Sequence, residues 1–158
     1  MKPLEQWKHE PTYRLGASIK VTAKGGAKKR GQEYHRRIYS RLGSLLAIQH
    51  DVKLLIEPWY RCLSRPAMRQ PDSVILLPEA NVGVVCEVKL NWKDGRDLKL
   101  LREYLPIVAA AHKLDMVWPL MITHCLRGYP HPPLLGLKKW EEAMSWVPGK
   151  PTPLMLVP

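Results

Sequence analysis

Two apolar stretches in the middle of the chain, PDSVILL at residues 71–77 and VGVVCEVKL at residues 82–90, set the architecture of this protein. Both are rich in β-branched residues and have the length of strands, and the short link between them suits a hairpin. Side chains alternate along a strand, so Glu87 and Lys89 point to the same face. The hairpin therefore predicts that Asp72 lies on a neighbouring strand beside Glu87 and Lys89.

This arrangement brings two carboxylates and an ammonium group together at the end of a hydrophobic sheet. Isolated charges are costly in such surroundings unless they are paired or bind a cation. A simpler interpretation is that Asp72 begins a strand after Pro71, and that Glu87 and Lys89 form an exposed pair of little energetic value. The apolar neighbours of Glu87 argue against a fully exposed strand, so the pattern favours a polar site.

The composition indicates one folded domain. The chain has 158 residues, of which 46% are hydrophobic, enough to bury a substantial core. Its apolar stretches are far shorter than the roughly 20 residues of a membrane span, and its start lacks the apolar region of a secretory signal. The three cysteines are odd in number and widely spaced, which is typical of reduced core thiols. We therefore expect a cytoplasmic protein with no membrane partner.

The charge distribution indicates a polyanionic partner. The net charge is +11, and residues 1–41 hold eleven Lys or Arg against three Glu. Such a block favours nucleic acid first and an acidic membrane surface second, whereas a solvated, solubilising arm is the plainest alternative. Nucleic acid is the expected partner because the block adjoins the predicted carboxylate site, which would suit a metal. The candidate phosphate-binding residues are Lys28, Lys29, Arg30, Arg36 and Arg37, with Lys93 and Arg96 in the loop that follows Lys89.

The hydrophobic periodicity predicts the order of helices and strands. Helices are expected at about 31–47, 97–112 and 134–146. Strands are expected at 52–62, 72–77, 82–90 and 116–126, with a short edge strand at 154–157. This order predicts an α/β fold with a mixed central sheet flanked by helices.

The same periodicity predicts the domain organisation. Residues 1–30 are weakly periodic, so we expect a basic, partly flexible arm there that packs in part through Trp7 and Tyr13. A single domain then covers residues 31–158. Its core is expected at 31–126, and a C-terminal helix and short strand are expected within 127–158.

At this point the residues resemble the PD-(D/E)xK nuclease superfamily. Pro71-Asp72 followed by Glu87-Val88-Lys89 is similar to its catalytic signature, and Glu33 in the preceding helix is similar to its helix acid. The similarity covers about residues 31–126. It implies a restriction-endonuclease-like core in which a helix, three strands, a second helix and a fourth strand follow one another.

Within that superfamily the chain most resembles small phage-type and resolvase-like endonucleases. Those proteins carry a Pro-Trp near the first strand, as Pro58-Trp59 does here, and an aromatic-bearing helix after the lysine, as Tyr104-Leu105-Pro106 does here. Leu100 stands where that helix often carries a glutamine, so no role of that glutamine is carried over to this chain.

The resemblance implies Mg²⁺-dependent hydrolysis of phosphodiester bonds, with Mn²⁺ able to substitute. Asp72, Glu87 and the backbone carbonyl of Val88 would bind the ion, and Glu33 would bind it directly or through water. Such an ion polarises the phosphate and lowers the pKa of a bound water, while Lys89 orients or helps to deprotonate that water. The implied catalytic residues are Glu33, Asp72, Glu87 and Lys89.

Other chemistries have weaker support in the sequence. His124, Cys125 and His131 are near one another but lack the paired spacing of a zinc site. The cysteines lie outside any clear electropositive motif, and Gly25-Gly26 is not followed by the Gly-Lys-Ser/Thr of a phosphate-binding loop. Neither a cysteine nucleophile nor a nucleotide cofactor is expected.

The sequence therefore predicts a Mg²⁺-dependent deoxyribonuclease, with an endonuclease favoured, in the cytoplasm of a bacterial or phage-infected cell. A homodimer is expected if both strands of a duplex are cut, because two cuts need two centres. Two other functions stay open. One is a non-catalytic, basic nucleic-acid-binding domain whose acidic residues are structural, and the other is an RNA-directed nuclease with the same centre.

Overall fold

The computed structural model describes residues 5–10, 24–47, 49, 51–92, 96–126, 134–135 and 154–156. Within these ranges the protein is a mixed α/β structure with two helices and two sheets. The helices are α1 (Gly26–Leu46) and α2 (Arg96–His112), and neither has the length and apolar character needed to cross a bilayer. The strands are β1 (Trp7–Glu10), β2 (Lys53–Ile56), β3 (Trp59–Cys62), β4 (Met68–Arg69), β5 (Ser73–Leu77), β6 (Val82–Trp92), β7 (Met116–Leu126), β8 (Leu134–Leu135) and β9 (Leu154–Leu156).

The larger sheet is mixed and has the strand order β2-β5-β6-β7-β9-β8. Strands β2, β5 and β6 are antiparallel neighbours, whereas β7 runs parallel to β6 after the crossover through α2. The predicted hairpin between β5 and β6 is confirmed, with Ser73 opposite Cys86 and Leu77 opposite Val82. Its turn ends at Asn81, whose φ of 55° is one that asparagine tolerates better than most residues.

Different elements cover the two faces of the larger sheet. One face packs against α1 through a cluster that includes Tyr34, Ile38, Leu42, Val84, Cys86 and Val88. The opposite face packs against α2 through a cluster that includes Val74, Val85, Leu101, Tyr104, Val108 and Met121. The strict alternation along β6 produces this division, since residues 84, 86 and 88 face α1 while residue 85 faces α2. The burial of these side chains stabilises the fold by roughly 1.5–3 kcal/mol for each large aliphatic one.

The single strand predicted at 52–62 is wrong, because the chain breaks there into β2 and β3, which belong to different sheets. The break falls at Glu57 and Pro58. Glu57 has a φ of 47°, outside the strand region, and Pro58 has no amide hydrogen to donate to a ladder. The chain therefore leaves the larger sheet at Ile56, forms a three-stranded sheet in the order β1-β3-β4, and returns at β5.

The described part of the N-terminal region contributes a strand and the start of a helix. Residues Trp7–Glu10 form β1, which pairs antiparallel with β3, and the Trp7 side chain is buried in the α2 cluster as expected. Arg61 donates to Glu10 across this pair at 2.7 Å. Helix α1 begins at Gly26, earlier than the predicted residue 31. The basic residues 28–30 thus lie in the first turns of a helix, while Tyr13 is outside the described residues.

The C-terminal predictions are corrected in part. Leu134–Leu135 is a short strand, not the start of the helix predicted at 134–146, whose remaining residues lie outside the described ranges. The strand predicted near the C-terminus is present at Leu154–Leu156. It lies between β7 and β8, so among the described strands it is an inner strand and not the predicted edge.

Candidate active site at the end of the larger sheet

Asp72 lies just before the first residue of β5, beside the part of β6 that continues past β5. The β5–β6 register stops at the pair Ser73 and Cys86, and one residue further along it Asp72 faces Glu87. Here the Asp72 side chain replaces a backbone hydrogen-bond acceptor, because its Oδ2 accepts a hydrogen bond of 2.7 Å from the Val88 amide. A charge-assisted bond of this kind orients the carboxylate firmly. Asp72 is therefore fixed against the strand that carries Glu87 and Lys89, as the sequence predicted.

Glu87 is a buried carboxylate beside another carboxylate. Its side chain is only 3% exposed, and its Oε2 lies 3.3 Å from the ammonium Nζ of Lys89. Burial, followed by the nearby charge of Asp72 and a hydrogen bond with it, raises the pKa of Glu87 to about 9, although Lys89 opposes the shift. Near neutral pH the metal-free site therefore holds Glu87 in its protonated form, and a bound cation would take the place of that proton.

The α2 helix closes the site from one side. The Tyr104 side chain is buried, and its hydroxyl donates to the backbone carbonyl of Gln70 at 3.3 Å. Burial and the charges of Glu87 and Asp72 raise the pKa of Tyr104, which therefore stays protonated. Tyr104 therefore ties α2 to a residue two positions before Asp72.

Helix α1 supplies two side chains that the sequence analysis missed, His35 and Tyr39. His35 Nδ1 lies 3.8 Å from Asp72 Oδ1 and 3.2 Å from the Tyr39 hydroxyl. Tyr39 in turn donates to Oε1 of Glu57 at 3.3 Å. Burial, then the charges of Asp72, Glu57 and Glu87, raises the pKa of Tyr39. Tyr39 therefore connects His35, which lies beside Asp72, with Glu57, a third carboxylate after Asp72 and Glu87.

Glu57 is the third of these carboxylates and was not predicted. Its amide donates to the Asp72 carbonyl at 2.9 Å, and its own carbonyl accepts from Gln70 Nε2 at 2.9 Å. Its Oε2 is buried and has no hydrogen-bond partner among the described residues. Strained backbone and an unpaired buried acceptor are features that accumulate at functional sites. The sequence signal was an acidic residue interrupting the apolar run before Pro58, which we interpreted as part of a strand.

Glu33 is placed elsewhere. It is exposed and pairs with Lys29 across one helical turn at 3.8 Å. Positions 33 and 35 are separated by about 200° around a helix, so the face that brings His35 to Asp72 carries Glu33 away from it. Among the described residues, His, Cys, Asp and Glu side chains do not form a group of three placed to hold one metal ion. The structure thus brings together Asp72, Glu87 and Lys89 but leaves Glu33 on a different surface.

Some of the predicted basic residues lie beside this site. A pocket of about 280 Å³ next to Asp72 is lined by Lys28, Gly31, Gln32, His35, Arg36, Tyr39 and Glu57. Arg30 and Arg37 are exposed on α1, and Lys29 pairs with Glu33. Lys93 and the side chain of Arg96 lie outside the described residues. Lys28 and Arg36 therefore place positive charge near the carboxyl groups of Asp72 and Glu87.

The two described cysteines are core thiols. Cys62 and Cys86 are both free and buried, as predicted. Burial raises the pKa of Cys86 to about 12, so its thiolate form is scarce at neutral pH. Although Cys86 is adjacent to Glu87 in sequence, it points to the α1 face and is unsuited to act as a nucleophile.

Comparison of this chain with protein-family models, with curated proteins and with solved structures gave no match.

Proposed function

We propose that this protein is a metal-dependent endonuclease of the PD-(D/E)xK type that hydrolyses DNA phosphodiester bonds. The observation that carries the proposal is the buried Glu87 carboxyl, next to Asp72 and 3.3 Å from Lys89. Two carboxylates that share one ammonium group in a poorly solvated site form an arrangement that a divalent cation would stabilise. Structural ion pairs seldom leave such an imbalance, whereas hydrolytic metal sites use it.

The donor set fits a hard cation such as Mg²⁺ or Mn²⁺. Asp72 and Glu87 would supply carboxylate oxygens, and the Val88 carbonyl would supply a third. Since the N–H and C=O of a strand residue point to the same side, the Val88 carbonyl faces the side on which its amide meets Asp72. When bound, the ion would polarise the scissile phosphate and lower the pKa of a bound water. Asp72 and Glu87 would hold the ion without a contribution from Glu33.

The remaining residues have roles that follow from their positions. Lys89 is 30% exposed, so its ammonium group can donate hydrogen bonds both to Glu87 and to an attacking water or a phosphate oxygen. Lys28 and Arg36, which line the adjoining pocket, would bind the flanking phosphates of the substrate. Tyr104 donates to Gln70, two residues before Asp72, and so would hold α2 beside the carboxylates.

The topology supports the same proposal. Helix α1, the antiparallel strands β2, β5 and β6, helix α2 and the parallel strand β7 follow the order that the resemblance implies. The small β3–β4 excursion is inserted between the first two of those strands. We further propose that the protein acts in the cytoplasm of a bacterial or phage-infected cell, which its free thiols support. Double-strand cutting would require two copies of the chain.

A second candidate function is a non-catalytic nucleic-acid-binding domain. The exposed position of Glu33 favours it, because only two of the three predicted acidic ligands come together in the described structure. In that case the Asp72 carboxylate would serve to close the end of β5, and Glu87 would be a structural partner of Lys89.

A plasmid-nicking assay separates the two functions. With Mg²⁺ we expect nicked and linear products, and with EDTA we expect none. Lys89→Ala should abolish cutting and leave DNA binding largely unchanged, while the exposed Lys99→Ala serves as a matched control that cuts normally. If the wild-type protein binds DNA but cuts no substrate with either Mg²⁺ or Mn²⁺, the nuclease proposal fails. Parallel reactions on duplex, single-stranded, flap, four-way-junction and RNA substrates define the preferred nucleic acid.

A further inference from the structure

The outer surface of α1 carries a second, larger groove that the proposed catalytic chemistry does not use. Its volume is about 660 Å³, and it is open to solvent. The residues that line it are Glu33, Arg36, Arg37, Ser40, Arg41 and Ser44. These residues recur at intervals of three and four, so they form one continuous stripe along about three turns of the helix. Three arginines and two hydroxyl groups thus face the same open space.

This groove is joined to the pocket beside the carboxylates. Arg36 lines both, so a ligand that leaves Asp72 past His35 meets Arg36 before it reaches the rest of the stripe. Arg37 and Arg41 then lie one helical turn apart, with Cβ atoms about 5–6 Å from each other by helix geometry. The positive charge therefore forms a track that starts at the candidate active site.

The arginines of the groove are available for a ligand. Within the part of the chain that the structure describes, Arg36, Arg37 and Arg41 form no ion pair with a carboxylate. The Arg37 guanidinium lies 5.2 Å from the centroid of the Tyr34 ring, which supports it from below. Tyr34 itself is anchored in the core, where it is 3% exposed. A guanidinium held by a buried ring retains its charge and loses little freedom when it binds an anion.

We propose that this groove binds the sugar-phosphate backbone of the nucleic-acid strand that enters or leaves the active site, with Arg36 at the junction and Arg37 and Arg41 on the successive phosphates. The proposal rests on the proposed nuclease function for the position of the scissile phosphate. It assigns a binding role to Arg41, Ser40 and Ser44. It also gives Glu33 a role opposite to that of a metal ligand, because a carboxylate inside the groove repels phosphate and is only partly neutralised by Lys29.

The test measures DNA and RNA binding by fluorescence anisotropy at several salt concentrations, in EDTA so that no cutting occurs. On duplex DNA, each phosphate contact makes the slope of log K against log salt steeper by about 0.9. One contact therefore makes binding at 0.1 M salt about eightfold tighter, relative to binding at 1 M salt. Arg37→Ala/Arg41→Ala should therefore lower the slope by about 2. Arg37→Lys/Arg41→Lys should retain most of the slope, because a lysine is still a point charge for phosphate.

A matched control removes two exposed charges elsewhere. Lys53 lies on β2 and Lys99 on α2, and neither lines the groove. Lys53→Ala/Lys99→Ala should change the slope much less than the arginine pair. Circular dichroism and thermal melting of each variant show whether loss of the Arg37–Tyr34 contact has disturbed the helix.

Glu33→Gln provides the sharpest readout. The groove predicts tighter DNA binding in EDTA, whereas a carboxylate outside the path of the DNA predicts an unchanged affinity. An unchanged affinity and slope for both Arg37→Ala/Arg41→Ala and Glu33→Gln would overturn the groove, even if cutting persists. The proposal would also be overturned if Arg37→Ala/Arg41→Ala lost binding to phosphatidylserine vesicles but bound DNA as the wild type does. Normal groove-dependent binding without any cutting would instead refute the nuclease function and leave the groove intact.

Discussion

The Val88 amide donates to Asp72 Oδ2 at 2.7 Å, so a side chain takes the place of a backbone partner just before β5 begins. This bond ties the first carboxylate to the strand that carries the second. Because β6 continues to Trp92 and pairs with β7 over that length, its position is set by the sheet. Glu87 and Lys89 are consequently held on a strand, and Asp72 is tied to that strand from the bend before β5, as preorganised chemistry requires.

Replacing Asp72 separates its two roles. Asp72→Asn keeps an oxygen that can accept from the Val88 amide but loses the charge, so we expect near-normal stability and a loss of cutting of at least about 100-fold. Asp72→Ala also leaves the Val88 amide unsatisfied, at a cost of about 1–3 kcal/mol in the free energy of unfolding. Urea denaturation and the nicking assay measure these effects, with the exposed Asp51→Asn as control. Equal stability of the Asn and Ala variants would contradict the structural role.

Glu87 should make the metal-free protein less stable as the pH rises. Its folded-state pKa is about 9, above the ordinary 4.5, so the folded state holds more protons than the unfolded state between these values and loses stability across that window. Glu87→Gln has no such proton, so its melting temperature at pH 8 in EDTA should exceed that of the wild type. Mg²⁺ should raise the melting temperature of the wild type but not of the variant.

The control for this experiment is Glu79→Gln, which removes an exposed carboxylate in the β5–β6 turn. It should follow the wild-type pH dependence and retain the response to Mg²⁺. A Glu87→Gln protein that melts at the wild-type temperature at pH 8, and still responds to Mg²⁺, would remove Glu87 from the metal site.

Glu57 should contribute to cation binding although the sequence did not single it out. Its Oε1 accepts from the Tyr39 hydroxyl, and its amide is bound to the Asp72 carbonyl. Glu57→Gln removes one negative charge from this neighbourhood and should weaken Mn²⁺ binding about 10-fold or more, by analogy with other residues that support metal ligands. Isothermal titration with Mn²⁺ measures the affinity, and Glu33→Gln should bind Mn²⁺ as the wild type does. The reverse ranking would restore Glu33 as the third acid.

His112 should make the protein sensitive to mild acid at a place remote from the carboxylates. Its Nε2 lies 2.9 Å from the Tyr60 hydroxyl, and its ring stacks near His9. Burial, then the charges of His9 and Lys53, lowers the pKa of His112 to about 4 from 6.5. The unfolded state therefore binds more protons between these values, and stability is lost as the pH falls through that window.

The measurement is the melting temperature of the wild type and of His112→Gln between pH 7 and pH 4.5. The wild type should lose stability across this range, and the variant should lose less because its glutamine does not titrate. Tyr60→Phe, which removes only the hydrogen bond, should keep the wild-type dependence on pH, as should the exposed His124→Gln. Parallel curves for the wild type and His112→Gln would show that His112 does not cause the acid sensitivity.

The contrast between Glu33 and Glu57 shows where sequence reasoning stops. A glutamate in a helix before the strands matched the expected helix acid, yet helix rotation decides which positions face the sheet. The buried stripe of α1 runs through Tyr34, Ile38 and Leu42, and this stripe turns His35 and Tyr39 toward Asp72. Glu57 reaches the same region through a positive φ that strand periodicity does not reveal.

The sequence by itself determined the β5–β6 hairpin, the presence of the strand β7, and the meeting of Asp72 with Glu87 and Lys89, because side-chain alternation and a short turn leave little freedom over such distances. It also determined the basic character of α1. Only the tertiary structure decided that Tyr39, His35 and Glu57 join the carboxylates and that Glu33 lies in the arginine groove. Those relationships depend on how a helix rotates and packs on a sheet, and contacts between distant segments set that packing.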